Sequence, residues 1–170
     1  LVASNLAAAI AMEVNYTALL VDMDLRHPGV KDYFAIEPKI GLSDYLKGDA
    51  EIADLLVNPG VERLLLLPGV GSADNSSELI SSPRMVALFN EVTQRYKSRI
   101  VIYDMPAILP RDDVLTALSH VDCFLMVLEE GRDSEADIRK AIQSMQNANI
   151  VGTVINKSQS IEAGYMPSLV

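Results

Sequence analysis

The chain has few residues of several kinds, and each shortage excludes a class of protein. It has one cysteine, Cys123, so it can form no internal disulfide, and one cysteine is too few for a structural zinc site. It has no tryptophan and only three phenylalanines, so we expect a core of aliphatic side chains. Its 14 basic residues are outnumbered by 23 acidic ones, and the resulting net charge of −9 argues against a nucleic-acid coat or a polybasic membrane anchor.

Long apolar runs and targeting signals are also missing. No stretch of 18 apolar residues occurs, so the sequence predicts no membrane-spanning helix. The apolar start, residues 1–11, lacks the basic front of a secretory signal peptide and carries no initiator methionine. We therefore expect the chain to be a piece of a longer protein.

The residues that are present indicate a folded α/β domain. Hydrophobic residues make up 49% of the 170 residues and charged residues 22%, a balance that excludes intrinsic disorder. The length, and the lack of repeats or linkers, predict a single domain over residues 1–170. Short apolar runs alternate with helical segments, and this pattern predicts a mostly parallel sheet with helices on both faces.

The predicted elements can be placed along the chain. The strands are residues 17–22, 63–67, 99–104, 122–129 and 150–155. The helices are residues 1–13, 41–48, 49–57, 82–97, 110–119 and 134–148, with Ser43 and Asp49 as N-caps of the second and third. In such a sheet the reactive residues gather at the carboxyl ends of the strands.

Acidic residues stand at the ends of two predicted strands. Asp22 and Asp24 close the first strand, and Asp104 closes the third. Parallel strands end at one edge of a sheet, so these carboxylates should meet there and repel one another. Mg²⁺ prefers oxygen ligands, would remove that repulsion and commonly serves a phosphate. The alternative is that each aspartate only caps the turn after it, but two acids on one strand and a third on another favour a site.

Other candidate groups carry weaker signals. Arg26 could reach a phosphate with its planar guanidinium, or could be a surface arginine. We assign His27 no catalytic role. Cys123 stands in an apolar run, which predicts a buried and inert thiol. A Gly-x-x-x-x-Gly-Lys-Ser/Thr loop, whose amides cradle phosphates, occurs nowhere in the sequence, and residues 69–71 (Gly-Val-Gly) are too short to replace it.

Two motifs resemble those of one enzyme family. Residues 22–28, Asp-Met-Asp-Leu-Arg-His-Pro, are similar to the Walker A′ motif of the bacterial tyrosine kinases, the P-loop enzymes of exopolysaccharide and capsule production. Residues 100–106 resemble their Walker B motif. Further segments similar to family segments are residues 77–85, 112–114, 130–133 and 152–156. The resemblance runs from residue 1 to about residue 157.

The resemblance implies a P-loop NTPase fold of the MinD and ParA kind. It also implies an ATP- and Mg²⁺-dependent protein-tyrosine kinase that regulates exopolysaccharide or capsule synthesis and export. Asp22, Asp24 and Asp104 would be catalytic, with Mg²⁺ held by Asp24 and Asp104. Asp22 would orient or deprotonate the attacking tyrosine hydroxyl. Arg26 would contact phosphate and Asn156 adenine, although Asn156 is also explained as a turn residue after a strand.

The resemblance further implies partners and a missing loop. The partner would be a membrane polysaccharide co-polymerase or activator, fused or separate, and the kinase would self-associate at the cytoplasmic face of the plasma membrane, with no role for nucleic acid. Residues 1–7 are similar to the helix that follows the phosphate loop, so that loop is expected directly before Leu1, and this segment alone should bind ATP poorly. Residues 104–107 depart from the usual Walker B sequence, and Tyr165 is the only tyrosine after Asn156.

Two other functions stay open. One is a regulatory ATPase of the partition or cell-division kind, which uses hydrolysis as a dimer switch. The other is a non-catalytic pseudo-kinase module that keeps the fold without nucleotide turnover. Labelled ATP separates the three, because they predict tyrosine label, phosphate release without tyrosine label, and neither, respectively.

Overall fold

A computed structural model describes residues 1–94, 98–109, 119–146 and 148–158 of the chain. The chain divides into two compact units, Leu1–His120 and Val121–Val170. That residues 1–170 form one domain stays a prediction. In the part of the chain described, no helix is both long enough and apolar enough to cross a bilayer.

The first unit contains a small sheet and several helices. Its strands are β1 (Thr17–Asp22), β2 (Leu64–Leu67) and β3 (Arg99–Asp104). Its described helices are α1 (Val2–Met12), α2 (Val30–Tyr33), α3 (Leu42–Lys47), α4 (Ile52–Leu55), α5 (Ser76–Ile80) and α6 (Pro83–Gln94).

β1 is the central strand of this sheet, whose order is β2-β1-β3. Both neighbours pair with β1 in parallel, so that Ala18 lies opposite Leu64 on one side and Ile100 on the other. The last five residues of β1 are buried. Burial on both faces explains why its sequence is a continuous apolar run rather than an alternating one.

The core of the first unit is aliphatic, as the shortage of aromatic residues predicts. α1 lies against the sheet through Ala7 and Ala11, which join Leu20 and Leu66 in one buried cluster. Small alanine side chains let the helix approach the strands closely. Each fully buried leucine contributes about 1.5–3 kcal/mol relative to an exposed one, so this layer holds α1 and β1 in a fixed relation.

The second unit is simpler in its described part. It contains β4 (Phe124–Glu129), α7 (Glu135–Ser144) and β5 (Ile150–Asn156). β4 and β5 pair in parallel, the arrangement that a connecting helix allows. α7 begins after Ser134, whose hydroxyl caps the helix by accepting a hydrogen bond from the Asp137 N–H at 3.2 Å.

The predicted α/β class is confirmed, and every predicted strand is present with its ends within two residues of the prediction. The sequence does not predict α2 and α5, because helices of four and five residues are too short to show a period. The predicted helix at 110–119 and the end of the helix at 82–97 involve residues 110–118 and 95–97, which lie outside the described residues.

Two predicted helix caps are wrong. α3 begins after Gly41 rather than at Ser43, and the Gly41 N–H donates to the Asp44 carboxylate at 2.7 Å. α4 begins after Glu51 rather than at Asp49, so this helix is shorter than predicted. In both helices an aspartate in the first turn bonds back to the residue before the helix, the second half of a capping box, and this replaces the predicted cap.

The predicted burial of the single thiol is also wrong. Cys123 is exposed. β4 begins at Phe124, two residues after the predicted start, so Cys123 stands before the strand and outside its apolar pairing with β5.

Candidate active site

The carboxyl ends of β1 and β3 lie side by side. Because the two strands are parallel and in register, Asp22 pairs directly with Asp104. The connection continues past the strand, since the Met23 N–H donates to the Asp104 carbonyl at 2.9 Å. The sheet therefore places two acidic residues at one level of the same edge, as the strand-end argument predicts.

Asp22 is a carboxylate with only 1% of its surface exposed. Its two oxygens accept hydrogen bonds from the backbone N–H groups of Val30 at 3.0 Å and Asp24 at 3.3 Å. Burial is the largest influence and raises the pKa of Asp22 to about 6; the Val30 hydrogen bond lowers it, and the charge of Asp104 raises it. A carboxyl group with such a pKa exchanges its proton near neutral pH, which an ordinary aspartate does not.

Asp104 is partly buried, and burial raises its pKa as well. The charge of Asp24 adds to this rise. The charge of Asp104 in turn helps to raise the pKa of Asp22. A cation beside these acids would favour their charged forms.

Asp24 organises the turn that follows β1. One of its carboxylate oxygens accepts hydrogen bonds from the backbone N–H groups of Arg26 at 3.2 Å and His27 at 3.0 Å. This is the turn-capping role considered as the alternative in the sequence, and it coexists with a place beside the other two acids. We call residues 22–28 the acidic turn.

Arg26 is held on the side of the acidic turn that faces α5. Its Nε donates to the hydroxyl of Ser76 at 2.6 Å, and Ser76 is only 1% exposed. Arg26 is not among the residues that line the cavity described next, whereas His27, to which the sequence assigns no role, is. Contact of Arg26 with a phosphate stays a prediction.

An open cavity of about 280 Å³ lies at this edge of the sheet. It brings together Asp22, Asp24 and Asp104, the three acids predicted from the sequence. The other lining residues come from the start of α1, the acidic turn and its continuation, and the loop after β3: Leu1, Ser4, His27, Gly29, Val30, Met105, Pro106 and Ala107.

Sequence reasoning missed part of this lining. Ser4 is 1% exposed and reaches the cavity from α1. The similarity of residues 1–7 to the helix that follows a phosphate loop is the sequence feature that could have predicted the position of Ser4 at the cavity. Met105 and Ala107 continue directly from Asp104, so the strand-end argument extends to them.

Gly69, just after β2, allows a close approach to the acidic turn. A Cβ on Gly69 would lie 2.4 Å from the Cβ of Pro28 and 3.4 Å from the Cγ of Asp22. Any larger residue would push against the proline or the carboxylate. The residue thus belongs to the packing around Asp22.

Asn156, the predicted adenine ligand, ends β5 in the second unit and pairs with Glu129. Its backbone carbonyl accepts a hydrogen bond from Glu130 at 3.1 Å. Beside it, the Glu129 carboxylate accepts from Lys157 at 2.8 Å and Arg132 at 3.1 Å. The hydrogen bond from Lys157 is the main cause that lowers the pKa of Glu129. The role of Asn156 stays a prediction. Residues 112–114 and Tyr165 lie outside the described residues.

The donor chemistry of the acidic edge fits Mg²⁺. Within residues 1–94, 98–109, 119–146 and 148–158, no group of three or more His, Cys, Asp and Glu side chains is arranged to hold a metal by itself. Mg²⁺ does not need such a cage, because it keeps several waters and usually takes one or two carboxylates together with substrate phosphates. Asp24 and Asp104, which both line the cavity, provide that kind of incomplete oxygen site beside the buried Asp22.

The chain is similar in sequence to proteins named as tyrosine kinases and to one named as a polysaccharide transport protein. It is 35% identical over 162 residues to the putative tyrosine-protein kinase EpsB of Ralstonia nicotianae, covering 91% of this chain and 20% of EpsB. It is 29% identical over 169 residues to the succinoglycan biosynthesis transport protein ExoP of Rhizobium meliloti, covering 96% of this chain and 21% of ExoP. It is 28% identical to the tyrosine-protein kinase CpsD of Streptococcus agalactiae, covering 95% of this chain and 71% of CpsD. The chain thus spans about a fifth of EpsB and ExoP. No family model matches it.

Solved structures agree with this relationship. The kinase domain of the Escherichia coli tyrosine kinase ETK matches with a TM-score of 0.82 and 28% identity, covering 96% of this chain and 66% of that one. The septum site-determining protein MinD of Pyrococcus horikoshii, complexed with Mg-ADP, matches with a TM-score of 0.73 and 21% identity over 93% of this chain and 65% of that one, a likeness of fold alone. The predicted P-loop NTPase-like fold and the resemblance to bacterial tyrosine kinases are confirmed.

Proposed function

Because this chain is a relative of the bacterial tyrosine kinases in sequence and in fold, we propose that it is part of an ATP-dependent protein-tyrosine kinase domain within a longer protein. The observation that carries the proposal is the pairing of Asp22 with Asp104 at one sheet edge, in a cavity that Asp24 also lines. The longer protein regulates the synthesis and export of an exopolysaccharide or capsule, a context that the name of the relative ExoP supports.

Mg²⁺ and ATP are the cofactors of this proposal. Asp104 and Asp24 would hold the metal, which when bound neutralises charge on the nucleotide phosphates. The cavity supplies only the acidic side of a nucleotide site, because a phosphate-binding loop is absent from this sequence. Arg26 would contribute a phosphate contact through its guanidinium and Asn156 a contact with adenine.

Asp22 is the proposed proton acceptor. Without a bound cation, burial raises the pKa of its carboxyl group to about 6. A bound cation would favour the ionised form, which is the form that can accept a proton from a tyrosine hydroxyl as the new bond forms. Hydrogen bonds from Val30 and Asp24 fix its orientation. A general base must hold a fixed orientation, and these two hydrogen bonds give the Asp22 carboxylate one.

The proposed partners follow from the family. They are a membrane polysaccharide co-polymerase or activator, fused or separate, and further copies of the kinase itself. The site of action is the cytoplasmic face of the plasma membrane. The net charge of −9 supports the absence of nucleic acid from this set.

The full-length protein that contains this chain provides the test. Incubated with Mg²⁺ and labelled ATP, the wild type should gain phosphotyrosine, and Asp104→Asn should lower the rate at least about 100-fold through loss of a charged oxygen ligand. Asp74→Asn is the matched control, because Asp74 is exposed and does not line the cavity.

Each alternative gives a different result in the same assay. Phosphate release without tyrosine label would support the regulatory ATPase, for which the fold likeness to MinD is the supporting observation. Neither label nor phosphate release would support a non-catalytic module. Unchanged turnover in Asp104→Asn would remove Asp104 from the site.

A further inference from the structure

We propose that Ser76 is a positioning residue of the acidic edge: its hydroxyl holds Arg26 and thereby fixes the turn that carries Asp24. Ser76 lies 50 residues from Arg26 in sequence, at the first position of α5. The inference rests on the proposed function for its effect on catalysis, but the contact itself is testable without activity.

The acidic turn is connected internally by hydrogen bonds that reach the backbone of Arg26 and His27. Asp22 accepts from the Asp24 N–H at 3.3 Å, and Asp24 accepts from the Arg26 N–H at 3.2 Å. The backbone of Arg26 is therefore a partner of the Asp24 carboxylate. A movement of Arg26 would alter the hydrogen bond that orients Asp24.

The Arg26 side chain has its own anchor. Its Nε donates to the Ser76 hydroxyl at 2.6 Å, and this serine is 1% exposed. A charge-assisted hydrogen bond shielded from water is stronger than one at the surface. Ser76 thus ties the outer end of the acidic turn to a buried point of the fold.

Other contacts come from the same stretch of chain, residues 69–76, which we call the post-β2 segment. The Ala73 N–H donates to the Leu25 carbonyl at 2.9 Å. Gly69 lies so close to Pro28 that an added Cβ would be 2.4 Å from the proline Cβ. The post-β2 segment therefore contacts the acidic turn at several points, and Ser76 supplies the side-chain hydrogen bond.

Loss of the Ser76 hydroxyl would displace the acidic turn without removing a group that takes part in the reaction. Ser76 does not line the cavity, so it touches neither the substrate nor the metal site directly. Small displacements of catalytic groups lower rates strongly because the reacting groups must be held in place. Loss of the Ser76 hydroxyl should therefore reduce turnover while nucleotide affinity changes little.

The test compares Ser76→Ala, Arg26→Ala and the double variant in the full-length protein, with Ser77→Ala as control. Ser77 is exposed and adjacent in α5. Ser76→Ala should lower kcat about tenfold with KM for ATP within about twofold. It should also speed hydrogen exchange of the Arg26 and His27 amides about tenfold, and Ser77→Ala should do neither.

The double variant separates a direct effect of Ser76 from one that acts through Arg26. If Ser76 acts through Arg26, Ser76→Ala should add nothing in the Arg26→Ala background. Additive losses, or wild-type kcat and exchange in Ser76→Ala, would overturn the proposal. Absence of phosphotyrosine in the wild type would refute the proposed function instead, and the exchange rates would then decide the role of Ser76.

Discussion

Replacing Asp22 with asparagine tests the electrostatics of the site without any cofactor. In the folded chain burial raises the pKa of Asp22 from 3.8 to about 6, so the folded state binds this proton more tightly than the unfolded state does. The stabilisation from the neutral form is complete below the unfolded pKa and is lost as the pH rises through the folded pKa. The wild type should therefore lose stability over this pH range.

The size of the effect follows from the shift. A rise of the pKa from 3.8 to about 6 corresponds to a total change in the free energy of unfolding of about 3 kcal/mol. Of this change, about 2 kcal/mol falls between about pH 4.5 and pH 7.5. The amide introduced by Asp22→Asn does not titrate. Its nitrogen cannot accept the hydrogen bond that one carboxylate oxygen accepts, which costs about 1–3 kcal/mol at either pH. The pH-dependent part is thus separable from the constant part.

Urea unfolding of the 170-residue chain, followed by circular dichroism, measures both parts. Between about pH 4.5 and pH 7.5 the free energy of unfolding of the wild type should fall by about 2 kcal/mol more than that of Asp22→Asn. The exposed Asp74→Asn should follow the wild type. Parallel pH profiles for the wild type and Asp22→Asn would refute the claim that Asp22 is a buried acid with a raised pKa.

Other predictions concern packing and exposure. Gly69→Ala should destabilise the chain by about 1–3 kcal/mol in urea unfolding, because its Cβ would lie 2.4 Å from that of Pro28. Gly29→Ala is the control, since a Cβ there meets nothing within 4 Å, and equal losses in the two variants would contradict the close approach. Cys123 is exposed, so a thiol reagent should modify it in the native chain; modification only in denaturant would show that the thiol is buried.

The strands and the acidic edge could be predicted because they follow from strong local rules. A strand buried on both faces reads as a near-continuous apolar run, as Thr17–Asp22 does. Arg99–Asp104 is a similar run, although its residues are only partly buried or exposed. Parallel strands share one carboxyl edge, so aspartates at their ends must approach one another. The observed pairing of Asp22 with Asp104 follows from these two rules.

The details that the sequence could not predict depend on contacts between distant residues or on very short elements. The Arg26–Ser76 hydrogen bond joins residues 50 positions apart. Neither segment carries a sequence pattern that predicts contact with the other. The cap of α3 was predicted at Ser43 because a serine suits an N-cap, whereas the backbone places the helix start after Gly41, with Asp44 bonding back to the Gly41 N–H. Exposure of Cys123 depends on a two-residue difference in where β4 starts, and element boundaries are the features that a sequence pattern defines least well.

The metal site at the paired strand ends is the central claim, and Mn²⁺ binding tests it most directly. Mn²⁺ replaces Mg²⁺ at oxygen sites and reports binding by electron paramagnetic resonance. In the full-length protein with ATP, Asp104→Asn should weaken Mn²⁺ binding at least about tenfold, while Asp74→Asn leaves it unchanged. Equal Mn²⁺ affinity in the wild type and Asp104→Asn would contradict a metal site at the paired ends of β1 and β3.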